Sequence, residues 1–446
     1  MINQKLFKFL PISLILLLAF FTRFWRLGVP DTYHFDEVYH AFTAKEMLLG
    51  NPAAWEFWNT PPAGFAYEWS HPPLAKLFMA AGMIIFGIGP FGWRFFGALA
   101  GIGIILLVYF LAKKLFASQF IAVMASLLLI FEGLLFVQSR IGMNDAYFIF
   151  FMLLSLWFLL SKKYAFSGFF WGLSLASKWT SVYAVFIFFV FFLHEFLQKS
   201  KEEQKLYVKK MIFTIPIFFI FLPVVIYLLS YSPFFFLHDP SVSSHIDSKS
   251  KVVKIEQALC RPIFPNNFCD KLAIVWNVNQ QMYWYHTRLK ATHAYQSLWY
   301  TWPFNWRPVY YYVGNFGDKI AQIYALGNPA IFWPGILAVI FAIYRLRKDR
   351  KFNLGLILTG YLAFWLPWSL SPRIMFLYHY LPSIPFLAIL LAFVLEKFWR
   401  NKTGKMLAIV YLLLVITTFI YFYPHMAAWP ISNTFNNSYF WLNSWR

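Results

Sequence analysis

Of the ionisable residues beside or inside the apolar runs of this chain, ten fall at one outer level: Asp36, Glu37, His71, Lys76, Arg94, Arg140, Asp145, Lys178, Arg373 and His379. Such residues are costly to keep near a bilayer, so each is a functional candidate by default. Their mixture suggests one kind of chemistry. Cations and histidines around a small acidic group suit an anionic substrate together with a base. At a membrane surface the anion is a lipid phosphate, whose oxygens pair well with Arg and Lys. A carboxylate such as Asp36 would take the proton of an attacking hydroxyl, while the cations stabilise charge building on a phosphate leaving group. The residues therefore point to transfer of a group from a lipid phosphate to an acceptor. Each also has a plainer reading. Asp36-Glu37 could favour a helix start, Arg94 and Arg140 could snorkel at span ends, and His71-Pro72-Pro73 could be only a turn. Lys178 resists such a reading because it interrupts a run of apolar and small residues.

The elements that must position these residues are membrane helices. The 446 residues are 60% hydrophobic, 23% aromatic and only 13% charged, against about 25% charged for a soluble domain. The net charge of +20 is scattered between apolar runs, which excludes a nucleic-acid face. Runs long enough to span lie near 6–25, 93–112, 117–137, 144–160, 211–231, 330–344, 354–371, 380–396 and 405–423. The stretch 164–197 reads as two helices, 164–177 and 180–197, on either side of Lys178. The expectation is an all-α integral membrane protein of about eleven transmembrane helices. With the N-terminus cytoplasmic, every dense basic cluster falls inside, and the C-terminus is extracytoplasmic. The first run, without a small-residue cleavage site, reads as an uncleaved helix and not a signal peptide.

The chain divides as a single membrane domain, 1–446. A first extracytoplasmic loop spans 26–92, helices fill 93–231, a second long outer loop spans 232–328, and the C-terminal helices occupy 329–446. Interfacial helices are expected in both loops; in the first they cover 36–49, ending at Gly50, and 74–89, whose start is preset by Pro72 and Pro73. The two cysteines, Cys260 and Cys269, share the second loop. If it is extracytoplasmic, they form a disulfide closing a small loop; the alternative is two free thiols.

The motifs, taken in order, resemble those of the protein O-mannosyltransferases among the GT-C glycosyltransferases. They are Phe35-Asp36-Glu37-Val38-Tyr39, His71-Pro72-Pro73-Leu74-Ala75-Lys76, Gly92-Trp93-Arg94, Ser139-Arg140-Ile141 with Asp145, and Ser177-Lys178-Trp179-Thr180. Then follow His293-Ala294-Tyr295-Gln296-Ser297, Trp302-Pro303, Arg307-Pro308-Val309-Tyr310-Tyr311, Gly327-Asn328-Pro329 and the run from Arg373 through Tyr378-His379-Tyr380 to Pro382. The resemblance implies an inverting enzyme moving mannose from a polyprenyl-phosphate mannose donor to Ser or Thr of an acceptor polypeptide, at the outer face of the cytoplasmic membrane. It implies Asp36 as base, with Glu37 supporting it or binding substrate. It implies Arg94 and Lys178 as ligands of the lipid phosphate, with Arg140 and Arg373 as further candidates. His71, Lys76, Asp145 and His379 join the substrate-binding set. The loop 232–328 is too short for the soluble MIR domain of eukaryotic members, so the resemblance is to a compact prokaryotic form. No dense ligand cluster is visible, and no essential metal is expected. A glycolipid or cell-wall acceptor is the alternative; a flippase is the remote one, since no repeat is visible.

Overall fold

The structure, a computed structural model, describes residues 2–237 and 258–446. Every apolar run in the sequence is helical. In chain order they are Ile2–Phe24, Pro90–Phe116, Gln119–Ile130 with Gly133–Ser139, Asp145–Leu160, Tyr164–Ser177, Trp179–Leu197, Lys201–Leu229, Pro329–Asp349, Phe352–Ala363, Leu377–Phe398 and Lys402–Met426. The protein is a multi-pass membrane protein. Six of these helices are long and apolar enough to cross a bilayer, and the pair Gln119–Ile130 and Gly133–Ser139, bent by 64°, makes a seventh. The expected eleven is thus not reached by helix length. Phe352–Ala363 has 12 residues and rises only about 18 Å, against about 30 Å of hydrocarbon.

The bend shows how backbone groups freed inside the membrane find partners. Glu132 caps the second piece, accepting from the N–H groups of Leu134 at 2.9 Å and Leu135 at 2.6 Å. Arg23 donates to the terminal carbonyls of Leu129 at 2.9 Å and Ile130 at 2.6 Å. Asn328 bridges Phe131 O at 2.8 Å and Val415 O at 3.0 Å. These ionisable and amide side chains complete a broken helix.

The first loop is more ordered than an interfacial segment requires. His71-Pro72-Pro73 does precede a helix start, at Leu74–Phe86. That helix forms a hairpin with Pro90–Phe116. Gly82 allows the close approach, since a Cβ there would stand 2.1 Å from Gly92 O. Earlier in the loop, a 3-10 turn over Phe35–Val38 leads into the helix His40–Leu48, with Gly50 at φ +74 as the expected stop.

In the second loop Cys260 and Cys269 are disulfide-bonded, with Cα atoms 5.7 Å apart. The helix Asn266–Arg288 follows. It buries Ile274, Val275, Val278 and Met282 against Trp55, Tyr231 and Phe234. To the helical fold the structure adds a small antiparallel sheet in the order β1 (Val309–Phe316), β2 (Lys319–Ala325) and β3 (Ile431–Ser432). Its β-branched and Tyr-rich strands turn at Gly317, φ +66. The β1–β2 register shifts between Tyr310 and Tyr312, a bulge that re-aims Tyr311.

Candidate active site

A cavity of about 1210 Å³ opens between the turn at Phe35–Val38, the break at Lys178, the end of Asn266–Arg288 and the segment before Leu377. Asp36, Glu68, His71, Lys178, Arg373 and His379 are among its walls. Asp36 reaches it from a strained backbone. Phe35 sits at φ +49, a conformation that costs free energy in a non-glycine residue and persists only where neighbours enforce it. The enforcement is visible: the Phe35 ring stacks on Tyr311 at 3.8 Å, and the Tyr311 hydroxyl accepts from Gln138 Nε2 at 2.7 Å.

No described group donates a hydrogen bond to the Asp36 carboxylate. Burial, then the nearby Glu68 and Asp145, push its pKa up to about 7, against the opposing pull of Lys178 and Arg373. A carboxylate poised there suits a general base near neutral pH. Lys178 sits in an extended residue between two helices, φ −161. Its Nζ holds Asp145 at 2.8 and 3.0 Å, so Asp145 stands behind the cation and does not line the cavity. Arg373 donates to His286 Nδ1, and its Nε has no partner among the described residues. His379 lines the cavity beside Trp368, at 4.2 Å between ring centroids, and its Nδ1 lies 3.0 Å from the Phe376 backbone N–H.

Glu37, expected to support Asp36 or bind substrate, and three expected substrate ligands are engaged elsewhere. Glu37 is fully buried and is not among the walls of the cavity. It accepts from Arg94 Nε at 2.7 Å and Nη2 at 2.8 Å, from Trp93 Nε1 at 2.9 Å and from the Gly142 N–H at 2.9 Å. Burial raises its pKa, but Arg94 and His34 beside it outweigh that and hold it well below the usual carboxylate range. Arg94 also donates to the carbonyls of Leu27, Pro30 and Thr32 at 3.1, 2.8 and 3.1 Å. It therefore has no donor left for a phosphate. Arg140 caps the end of the first helix, donating to Thr22, Arg23, Trp25 and Arg26 carbonyls between 2.7 and 3.3 Å. Lys76 is buried and donates to Glu68 O at 2.7 Å and His71 O at 2.8 Å, which ties down the loop that carries both residues. The three cations share a cause: a cation surrounded by unpaired backbone carbonyls satisfies them first.

Two family models cover most of the chain. The one for the C-terminal four TMM region of protein-O-mannosyltransferase matches residues 271–445, and the one for dolichyl-phosphate-mannose-protein mannosyltransferase matches 70–227. The chain belongs to the protein O-mannosyltransferase family. The polyprenol-phosphate-mannose–protein mannosyltransferase of Mycolicibacterium smegmatis is 27% identical over 97% of this chain and 92% of its own. That of Corynebacterium glutamicum is 26% identical over 97% and 93%. The S. cerevisiae protein O-mannosyltransferase Pmt1–Pmt2 complex bound to the sugar donor has the same fold, with a TM-score of 0.78 over 98% of this chain and 92% of that one, at 15% identity.

This O-mannosyltransferase cavity also contains residues that the sequence reading passed over: His40, Glu68 and His286. Glu68 lies three positions before His71 in the same loop, and that was the available signal. Its carboxylate is held below the usual range: burial opposes this, but His40 and Lys76 prevail. His286 was hidden in a long amphipathic helix, where nothing distinguishes it from an interface residue. It donates from Nε2 to Ser70 O at 2.7 Å and accepts from Arg373 at Nδ1.

Proposed function

We propose that the protein transfers mannose, with inversion, from a polyprenyl-phosphate mannose donor to Ser or Thr hydroxyls of proteins at the outer face of the cell membrane. One observation carries the reading: the Asp36 carboxylate, to which no described group donates a hydrogen bond, shares a single cavity with two cations, Lys178 and Arg373. The donor and acceptor classes are supported by the polyprenol-phosphate-mannose–protein mannosyltransferases matched over 97% of the chain. In the reaction the acceptor oxygen attacks the sugar's C1 while Asp36 takes the hydroxyl proton. The bond from C1 to the phosphate oxygen breaks, and its electron pair leaves with the polyprenyl phosphate. Lys178 and Arg373 hold that growing charge. Because the leaving group is already a phosphate, no second carboxylic acid has to protonate it. Two cations also make a divalent metal unnecessary, so transfer is metal-independent in this reading. Glu37 and Arg94 act by holding the turn that carries Asp36. The basic clusters, which all fall inside when the eleven spans expected from the sequence start from a cytoplasmic N-terminus, support an outward-facing cavity.

The test is product analysis. Purified protein is incubated with labelled polyprenyl-phosphate mannose and a Ser/Thr-rich acceptor polypeptide. Label in α-linked hexosyl-Ser or hexosyl-Thr is expected. Label recovered only in a glycolipid or glycan would replace the acceptor assignment.

A further inference from the structure

One wall of the cavity has no task in this chemistry. His40, His71 and His286 stack in a column, with ring centroids 5.8 and 5.0 Å apart. His286 has both ring nitrogens engaged, donating to Ser70 and accepting from Arg373. His40 and His71 do not. The Nδ1 atom of each is buried without a partner among the described residues, and His40 is only 3% exposed. Glu68 is beside them. Ser70 Oγ occupies its Oε1 at 2.6 Å, and no described group donates to Oε2. Buried polar atoms without partners lose free energy unless something in the functional state satisfies them.

Position says what that would be. The column starts at Glu68 and His40, near Asp36, and ends on Arg373. In an in-line displacement the sugar lies between the base and the leaving phosphate. Its ring must then sit alongside this column. We propose that His40, His71 and Glu68 form the subsite that reads the ring hydroxyls of the donor sugar. A neutral imidazole offers one donor and one acceptor, and a carboxylate offers acceptors only. Together they match adjacent hydroxyls, each of which both donates and accepts. Burial keeps both imidazoles neutral at pH 7: it lowers the pKa of His40 to about 4 and that of His71 well below its ordinary value, where His286 and Lys178 add to the effect.

The inference rests on the lipid-phosphate-sugar reading above, so the experiment separates the two. Full-length protein and the variants Glu68→Gln, His71→Phe and His40→Phe are compared. The first preserves shape, and the others preserve ring stacking. Three lipids are used: polyprenyl-phosphate mannose, polyprenyl-phosphate glucose, which differs at C2, and polyprenyl phosphate as a sugarless competitor. The ratio of kcat/KM for mannosyl over glucosyl donor is expected to fall about tenfold in at least Glu68→Gln and one histidine variant. The inhibition constant of polyprenyl phosphate should stay within about twofold of wild type, because a subsite for hydroxyls leaves phosphate binding unchanged. An unchanged donor ratio overturns the subsite, and so does an equal loss of polyprenyl phosphate binding, which would assign the wall to shape or phosphate. If wild type transfers no sugar from either donor, the functional reading fails; competition binding of the two glycolipids to wild type and variants then tests the subsite alone.

Discussion

Asp36→Asn should abolish transfer while making the protein harder to unfold at alkaline pH. The rate follows from the loss of a base, a contribution of about 10²–10⁴-fold, or roughly 3–5 kcal/mol of barrier. The stability follows from the raised pKa. The folded state prefers the protonated carboxyl, so the stabilising preference is complete below the unfolded value of 3.8 and is lost as pH rises through about 7. A shift of this size has a ceiling of about 4 kcal/mol. Asp36 borders an open cavity, so solvent screening reduces the penalty to about 1–2 kcal/mol. Asparagine has the same shape and no charge, and escapes that penalty. The assays are turnover against pH and thermal midpoints in detergent at pH 5 and pH 8. For wild type, kcat/KM should climb with pH and level off above about 7. Moving from pH 7 to pH 5 should lower it about 50-fold, the ratio of ionised fractions. The variant should melt later than wild type at pH 8, with the gap closing toward pH 5. Near-normal turnover in a folded Asp36→Asn protein would refute the base assignment. A flat wild-type profile from pH 5 to 8 would refute the electrostatics.

Other outcomes follow from the same contacts. Arg94→Ala leaves Glu37 buried without its guanidinium and should cost about 3–5 kcal/mol of stability, seen as a lower melting midpoint, with little recovery in Arg94→Lys because the forked geometry is lost. Lys178→Gln and Arg373→Gln should each lower kcat about 10²–10³-fold if they meet charge in the transition state, measured at saturating donor. Asp145→Asn removes a charge that raises the Asp36 pKa, so the acid limb of the pH profile should move to lower pH. Transfer should persist after EDTA treatment and dialysis; loss of activity restored by a divalent cation would overturn the metal-independent reading.

Much of the fold was legible because its causes are local. Apolar runs became helices, Lys178 divided 164–197 into two, the prolines at 72 and 73 preceded a helix start, and Gly50 ended one. The sheet was not legible. Val309–Phe316 and Lys319–Ala325 pair with each other and with Ile431–Ser432 from the far end of the chain, and no local pattern encodes that contact. Helix lengths were not legible for a related reason. Hydropathy reports what tolerates lipid, whereas the bend at Glu132 is completed by Arg23 from the first helix.

The site divides in the same way. By residue type, motif and topology, the sequence determined that an acid, several cations and histidines accompany a set of membrane helices at one level; that Asp36 shares a cavity with Lys178, Arg373, His71 and His379 came from the structure. Only the tertiary structure decided which charges remain available. Adjacent residues in a 3-10 turn point in different directions, so Asp36 faces the cavity while Glu37 is enclosed by Arg94, Trp93 and Gly142. Arg94, Arg140 and Lys76 looked like phosphate ligands because charge is visible in a sequence. The backbone carbonyls that engage them are not, since those carbonyls become unpaired only where helices end and loops fold back.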